Sequence, residues 1–394
     1  MRKIITLQNI LVLILLLVCI GGAWVIRQPS PNSEAFHRDN ASFDAGSFSQ
    51  YERGIIEEIV EERVDDAPQN KLVYQYLKVR LSTGDKKGEI IETEFNRITD
   101  ASENVKYRVG DTVVLGKTIT PPAEGLFLTD EYRYEVIDKY RVNGLWFAVI
   151  VFVLLACIFG RSKGLLSVAG LAVTGIVLIF FVAPQLLQGK DPVVIAALSS
   201  AGIAIVTMFI AHGFNVRTKI SIVSTLVSLV CAIGLSYLFV YAVQLFGFGG
   251  TDATLLQTGY LGALNLRGLL LAGLIISLLG VLDDVTTAQT ATIDELHKAN
   301  AQLGFRQLYS AAMSVGREHI ASLVNTLILV YVGAGLPLFL LLVAASNQPL
   351  WVLFNSENIA EEIIRAIAGS AALIIAVPIS TVIAAYVYSR KQKT

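Results

Sequence analysis

Charged residues, cysteines and histidines are all scarce in this chain of 394 residues. Only 16% of its residues are charged, whereas 54% are hydrophobic, and the mean hydropathy is +0.60. A soluble protein carries about 25% charged residues. The net charge of -1 and the lack of a Lys/Arg-rich run exclude nucleic acid as a predicted partner. The composition indicates an integral membrane protein, and the lipid bilayer is its first predicted partner.

The three cysteines, Cys19, Cys157 and Cys231, each lie inside an apolar run. Their spacing fits neither a metal site nor a redox pair, so the sequence predicts no metal and no cofactor. It also has no HExxH zinc motif. An intramembrane aspartyl protease needs two carboxylates from different helices, but no second Asp or Glu lies deep in any other predicted span. The chain is therefore not predicted to be an enzyme.

Long apolar runs dominate what is present. A helix needs roughly 20 apolar residues to cross the hydrocarbon core. Eight runs qualify, at about 4–26, 145–159, 165–183, 193–212, 220–246, 268–282, 320–345 and 367–388. The predicted fold class is an α-helical polytopic membrane protein with about eight transmembrane helices. The first run is longer than a signal-peptide core, so we expect an uncleaved anchor.

Basic residues in short loops set the predicted orientation, because lysine and arginine are retained on the cytoplasmic side. Alternate loops and both ends of the chain carry most of them: Arg2, Lys3, Arg161, Lys163, Arg217, Lys219, Lys298, Arg306, Arg317, Arg390, Lys391 and Lys393. The opposite short loops have only Lys190, Arg267 and Arg365. Both termini are predicted to be cytoplasmic, and residues 27–143 extracytoplasmic.

The polar extracytoplasmic part divides into a linker at 27–50 and a β-rich domain at 51–143. Five segments rich in β-branched and aromatic residues, bounded by turn residues, predict strands at about 55–64, 71–80, 88–95, 112–115 and 132–137. Five short strands suggest a small closed or half-closed β-barrel of the SH3 or OB type. The other predicted domains are the anchor at 1–26 and a seven-helix transmembrane domain at 144–394.

The sixth span runs directly into two adjacent carboxylates and a polar stretch, where unneeded charge is costly. Carboxylate, hydroxyl and amide oxygens suit protons or hard cations. These residues are the candidate gate or ion-binding site: Asp283, Asp284, Thr286, Thr287, Gln289 and Thr290. Neighbouring helical residues point about 100° apart, so we expect at most one of the two aspartates to face the bundle.

The alternative is structural: an aspartate ends the span at the headgroups, and a new helix begins just beyond it. Thr292 and Glu295 have the spacing of a capping box, with Thr292 as the N-cap. The segment 283–319 is then a cytoplasmic amphipathic region, which Gly304 interrupts.

Polar residues inside the spans are few. The fourth span ends at His212, and the fifth carries a repeating face of hydroxyl groups, Ser221, Ser224, Thr225 and Ser228. Such small residues also allow helices to pack closely. Pro337 and Pro378 are predicted helix kinks in the last two spans. The hydroxyl face and the prolines favour a cavity.

Residues 280–300, GVLDDVTTAQTATIDELHKAN, resemble the YibE/F-like family of bacterial multi-pass membrane proteins. The anchor, the β-rich domain and the seven following spans are similar to that family's layout. The resemblance implies a bacterial cytoplasmic membrane protein but names no substrate. We expect permease-like transport of a small solute or ion through an acidic gate on the cytoplasmic side. The alternative is a scaffold or accessory subunit that binds a membrane-protein or envelope partner through residues 51–143.

Overall fold

A computed structural model describes residues 50–66, 71–99, 106–120, 131–250, 265–344 and 349–390. The predicted anchor and nearly all of the predicted linker lie outside these residues. Contacts divide the chain into two units that meet between Leu154 and Leu155, and each unit is described by itself. The predicted domain boundaries stay predictions.

The first unit is built on five strands, one at each predicted position and most of them longer than predicted. They are β1 (Gln50–Asp66), β2 (Lys71–Leu81), β3 (Ile90–Thr99), β4 (Thr112–Thr120) and β5 (Glu131–Lys139). All neighbours are antiparallel, in the order β3-β2-β1-β4-β5.

This β unit (50–139) is curled, so that its two edge strands approach each other. The Thr93 hydroxyl on β3 donates a hydrogen bond to the Tyr134 carbonyl on β5 over 2.8 Å. Register shifts in the β1–β2 and β4–β5 pairs add curvature. Alternating side chains fill the inside: Ile56, Leu77, Val79, Leu81, Phe95, Tyr107, Val113, Leu115 and Tyr134. The sheet is therefore a half-barrel with its own apolar core.

Two pairs of polar residues are buried inside the half-barrel. Gln75 is fully buried; its amide donates to the Tyr107 carbonyl and accepts from the Tyr107 N–H, at 3.2 and 2.9 Å. A second buried pair joins Glu52 and Lys117, whose charged atoms lie 3.9 Å apart. Burial raises the pKa of the Glu52 carboxyl, and the nearby Lys117 charge opposes that rise.

The second unit is helical, and the helix that leads into it begins in the first. The described elements are α1 (Val142–Val177), a π-helical turn (Leu178–Val182), α2 (Ala183–Leu187), α3 (Pro192–His212), α4 (Val216–Ala242), α5 (Leu266–Ala299), α6 (Phe305–Ala334), α7 (Leu336–Ala344), α8 (Leu350–Phe354) and α9 (Glu357–Arg390).

Five helical elements of the described chain are long and apolar enough to cross a membrane, fewer than the eight spans predicted. They are Val142–Leu187, Pro192–His212, Val216–Ala242, Leu266–Ala299 and Glu357–Arg390. Large apolar side chains on their surfaces are exposed, such as Phe159 at 82% and Val230 at 70%. A helical bundle that exposes such side chains fits a multi-pass membrane protein.

Breaks inside helices explain most of the difference in number. Predicted spans two and three fall in one helical element, which breaks at Arg161, where φ is +51°. Gly164, just past the break, lies so close to the Ala156 carbonyl that no side chain fits there. Predicted span seven is divided at Gly335 between α6 and α7, so neither helix holds the whole apolar run. The first predicted span, the anchor, lies outside the described residues.

The bundle core forms where α3, α4, α5 and α9 meet. Its buried side chains are Ala196, Leu229, Ala232, Ala272, Ile275, Leu278, Leu282, Val285, Ala372, Leu373, Ala376 and Val377. Alanines alternate with larger aliphatic residues, so the helices approach closely. This core holds α5 in the centre of the unit.

Helix α5 does not end at the two aspartates, so the alternative in which a new helix begins just beyond them is wrong. The helix continues for more than four turns beyond Leu282 to Ala299. The predicted capping box is also wrong, because Thr292 lies inside the helix and its hydroxyl donates to the Ala288 carbonyl over 3.0 Å. Gly304 does separate two helices, as the N-cap of α6.

Gln75 gives a direct test of the half-barrel interior. Gln75→Leu leaves the buried Tyr107 N–H and carbonyl without their partner, and we expect the β unit to lose about 2–4 kcal/mol of opening free energy. Hydrogen exchange of peptides from β2 and 106–111 measures this loss. Lys78→Gln is the control on the same strand, since it removes only an exposed ion pair with Glu58. Equal protection in both variants would contradict this account.

Candidate functional site

All six predicted site residues lie on α5, and the helix divides them between two faces. Asp283 and Thr287 are four residues apart and share one face with the adjacent Asp284. Thr286 and Thr290, also four apart, lie with Gln289 on the adjoining face, and all three are fully buried. The structure therefore does not assemble the six residues into one site.

The first group lines a cavity of about 480 Å³ between α1, α3 and α5, called here the acidic cavity. Its polar lining comprises Ser167, Thr174, Thr207, His212, Asp283, Asp284 and Thr287. The remainder is lined by small or aliphatic residues, including Gly170, Leu171, Ile203, Leu279 and Gly280. A pocket of this size accommodates a small solute or a hydrated ion.

Both aspartates line the acidic cavity, but they differ in burial, as neighbours that point about 100° apart on a helix can. Asp283 is half-buried and Asp284 is exposed. The two side chains diverge on the helix, but the cavity is wide enough to take in both directions. The two adjacent carboxylates therefore line the same cavity, although they do not lie in one row along the helix.

Sequence reasoning did not assign His212 to this site. The residue ends α3 and lines the acidic cavity together with Asp283 and Asp284. One signal was available: His212 ends the fourth predicted span on the same predicted side as the end of the sixth. The imidazole of His212 is thus a third ionisable side chain in the lining of the acidic cavity.

Among the described residues, no lysine or arginine forms an ion pair with Asp283 or Asp284. The ion pairs of the described helices lie elsewhere, at Lys298 with Asp294 and Glu295 and at Arg365 with Glu362. The described residues contain no group of three or more His, Cys, Asp or Glu side chains that could hold a metal ion. Acidic groups at membrane depth without a fixed countercharge attract protons and mobile cations.

The second group faces the interior of the bundle. The Thr286 hydroxyl lies 2.6 Å from the Thr225 hydroxyl of α4. Gln289 donates from Nε2 to the Ala312 carbonyl of α6 over 2.8 Å. A Cβ at Gly316 would meet Val377 at 2.6 Å and Gln289 Nε2 at 3.1 Å, so only glycine lets α6 approach this closely. These polar side chains join neighbouring helices.

The two predicted kink residues lie away from the acidic cavity. Pro337 is the second residue of α7, just past the break between α6 and α7. Pro378 lies inside α9, which continues past it to Arg390. Neither proline lines the acidic cavity.

The fold and the cavity together define a class: a helical bundle with several apolar helices of membrane-spanning length, which encloses paired carboxylates. A model of the YibE/F-like protein family matches residues 148–390, and the chain belongs to this family. The matched range covers the bundle and excludes the β unit. No curated protein and no solved structure gives a match.

Thiol labelling tests the division of α5 into two faces. With the native cysteines replaced, Asp284→Cys and Thr287→Cys should react with a small water-soluble thiol reagent in permeabilised membranes, because these positions line the cavity. Thr286→Cys and Thr290→Cys should react at least ten-fold more slowly, because both are fully buried.

The four positions lie within two turns of the same helix, so each serves as a control for the others. Equal labelling of positions 287 and 290 would mean that the two faces are not separated as described.

Proposed function

We propose that this YibE/F-like protein is a permease-like transporter of a small solute or ion, with Asp283 and Asp284 at an acidic gate. The observation that carries the proposal is the acidic cavity, where both carboxylates and His212 line one space of about 480 Å³. Structural residues at a helix end would not need such a space beside them. In the proposed activity the solute or ion crosses the membrane without any covalent bond being made or broken.

The proposed role of the carboxylates follows from their electrostatics. Two adjacent negative charges repel each other, and a bound proton or cation relieves that repulsion. His212 lines the same cavity from α3 and adds a third ionisable side chain. Binding and release at this cavity would therefore respond to pH and to the concentration of the transported cation.

We further propose a bacterial cytoplasmic membrane location, with both termini and the acidic cavity on the cytoplasmic side. The support is the distribution of basic residues, which flank the predicted spans on the side where His212 and Asp283 lie. The β unit would then lie on the extracytoplasmic side.

A second candidate function is a scaffold that binds an envelope or membrane-protein partner through the β unit. The observation that favours it is a set of exposed apolar side chains on the strands: Tyr51, Ile55, Val60, Tyr76, Ile90 and Ile137. The strand order, with β3 near β5, suits an OB-type barrel, a fold that serves many binding functions. A scaffold would lose its partner when Tyr51 and Tyr76 are changed to serine, whereas a transporter would keep its flux.

Flux measurements in liposomes test the transport proposal. Wild-type protein should carry protons or alkali cations down an imposed gradient, recorded with an entrapped fluorescent indicator. Asp283→Asn and Asp284→Asn keep the side-chain size but remove the charge, and each should lower the flux at least ten-fold.

Glu295→Gln is the matched control, since Glu295 is an exposed carboxylate on the same helix that pairs with Lys298 outside the cavity. It should leave the flux within two-fold of wild type. Absence of flux in the wild type across protons, alkali cations and small solutes would overturn the proposal, as would full flux in both aspartate variants.

A further inference from the structure

Helix α4 buries a row of hydroxyl groups that have no hydrogen-bond partner among the described residues. Ser221, Ser224 and Ser228 are at most 2% exposed, and each has an unpartnered Oγ. Spacings of three and four residues place them on one face of the helix, together with Thr225. A buried polar group without a partner is costly and calls for an explanation.

Several other buried hydroxyls of the same bundle are hydrogen-bonded, although Ser200 and Thr218 are also unpartnered. Ser236, on the same helix, donates to the Ala232 carbonyl over 2.9 Å. Ser380 and Thr381 of α9 donate to carbonyls one turn earlier, at 2.8 and 2.6 Å. This local bond is the ordinary way to satisfy a serine or threonine inside a helix. The three unpartnered serines do not use it.

Helix α5 contributes matching groups across the interface. Thr225 and Thr286 touch at 2.6 Å, while Thr290 Oγ1 is buried and unpartnered. We call the combined set the buried polar cluster: Ser221, Ser224, Thr225 and Ser228 with Thr286 and Thr290.

Antiparallel packing brings its members to common levels. Leu229 packs in the same core cluster as Leu282, and Ile220 in the same cluster as Ile293, so numbers fall along α4 as they rise along α5. Ser221 and Thr290 each lie one helical turn from the Thr225–Thr286 contact, in the same direction. Oxygens from both helices therefore collect between them.

We propose that the buried polar cluster binds a dehydrated alkali cation of about the size of sodium. Its potential ligands are all neutral oxygens, which suit hard monovalent ions and lack the carboxylates that calcium requires or the nitrogen and sulfur donors of transition metals. The cluster also adjoins the acidic cavity through α5, where the Thr286 hydroxyl donates to the Asp283 carbonyl over 3.3 Å. Asp283 lies one turn away and would supply the compensating negative charge.

The site deepens the proposed function by naming the class of ion, and it rests on that function only for the claim that the ion is moved. Occupation of the site is a separate matter. It is measured on full-length protein at equilibrium, without flux.

Thermal unfolding in lipid nanodiscs tests occupation. Sodium chloride is titrated against choline chloride at constant ionic strength, and sodium should raise the Tm of the wild type because a ligand that binds only the folded state stabilises it. Ser224→Ala and Thr290→Val should need at least ten-fold more sodium for half of the shift. In choline alone both should be as stable as wild type or more so, because they remove an unsatisfied buried hydroxyl.

Ser236→Ala is the matched control, a buried serine of α4 whose hydroxyl is already bonded, and it should keep the sodium response within two-fold. If Ser224→Ala does not fold, Ser228→Ala takes its place.

Identical Tm values for the wild type in sodium, lithium, potassium and choline would overturn the site and leave water as the occupant of the cluster. A retained sodium response in Ser224→Ala, Ser228→Ala and Thr290→Val would overturn it equally. Sodium binding without any flux would instead uphold the site and refute transport.

Discussion

Polar groups inside a bilayer must find their partners within the protein, because hydrocarbon supplies none. Helix α5 is the element on which this constraint acts most strongly, since it carries two carboxylates, several hydroxyls and an amide through the middle of the bundle. It meets the constraint differently on its two faces. Asp283 and Asp284 line a cavity, whereas Thr286 and Gln289 reach the side chain or backbone of a neighbouring helix.

Close helix packing allows Thr286 and Gln289 to reach partners on neighbouring helices. Gly316 of α6 leaves room for Gln289, and the alanines of α5 and α9 keep the bundle core narrow. The buried polar groups of the β unit also need partners, although the outside of this unit is open to water. There Gln75 acts as a surrogate backbone partner for Tyr107, and Glu52 and Lys117 are buried together. In both units the buried polar residues set geometry as well as stability.

The local patterns that were predictable are those with a clear period. Five strands could be located because alternating side chains such as Leu77, Val79 and Leu81 need only the two faces of a sheet. The end of the sixth span could not, because adjacent aspartates after an apolar run resemble a helix terminus at the headgroups. The neighbouring helices decide the outcome. Because α1 and α3 leave a cavity beside positions 283 and 284, α5 continues as a helix past the two aspartates. Fewer than eight separate spans are described, because predicted spans two and three share an element that breaks at Arg161, predicted span seven is divided at Gly335, and the anchor lies outside the described residues.

The sequence alone determined the class of protein, the five strands and the location of the candidate residues on one stretch of chain, since hydropathy and side-chain period act over neighbouring residues. It also determined the family, because the segment from Gly280 to Asn300 is distinctive. Only the tertiary structure decided which of those residues share a space. His212 is 71 residues from Asp283 in sequence, and Thr225 is 61 residues from Thr286. These pairs meet because α3, α4 and α5 pack side by side, an outcome that depends on the shapes of three helices at once and on no local pattern.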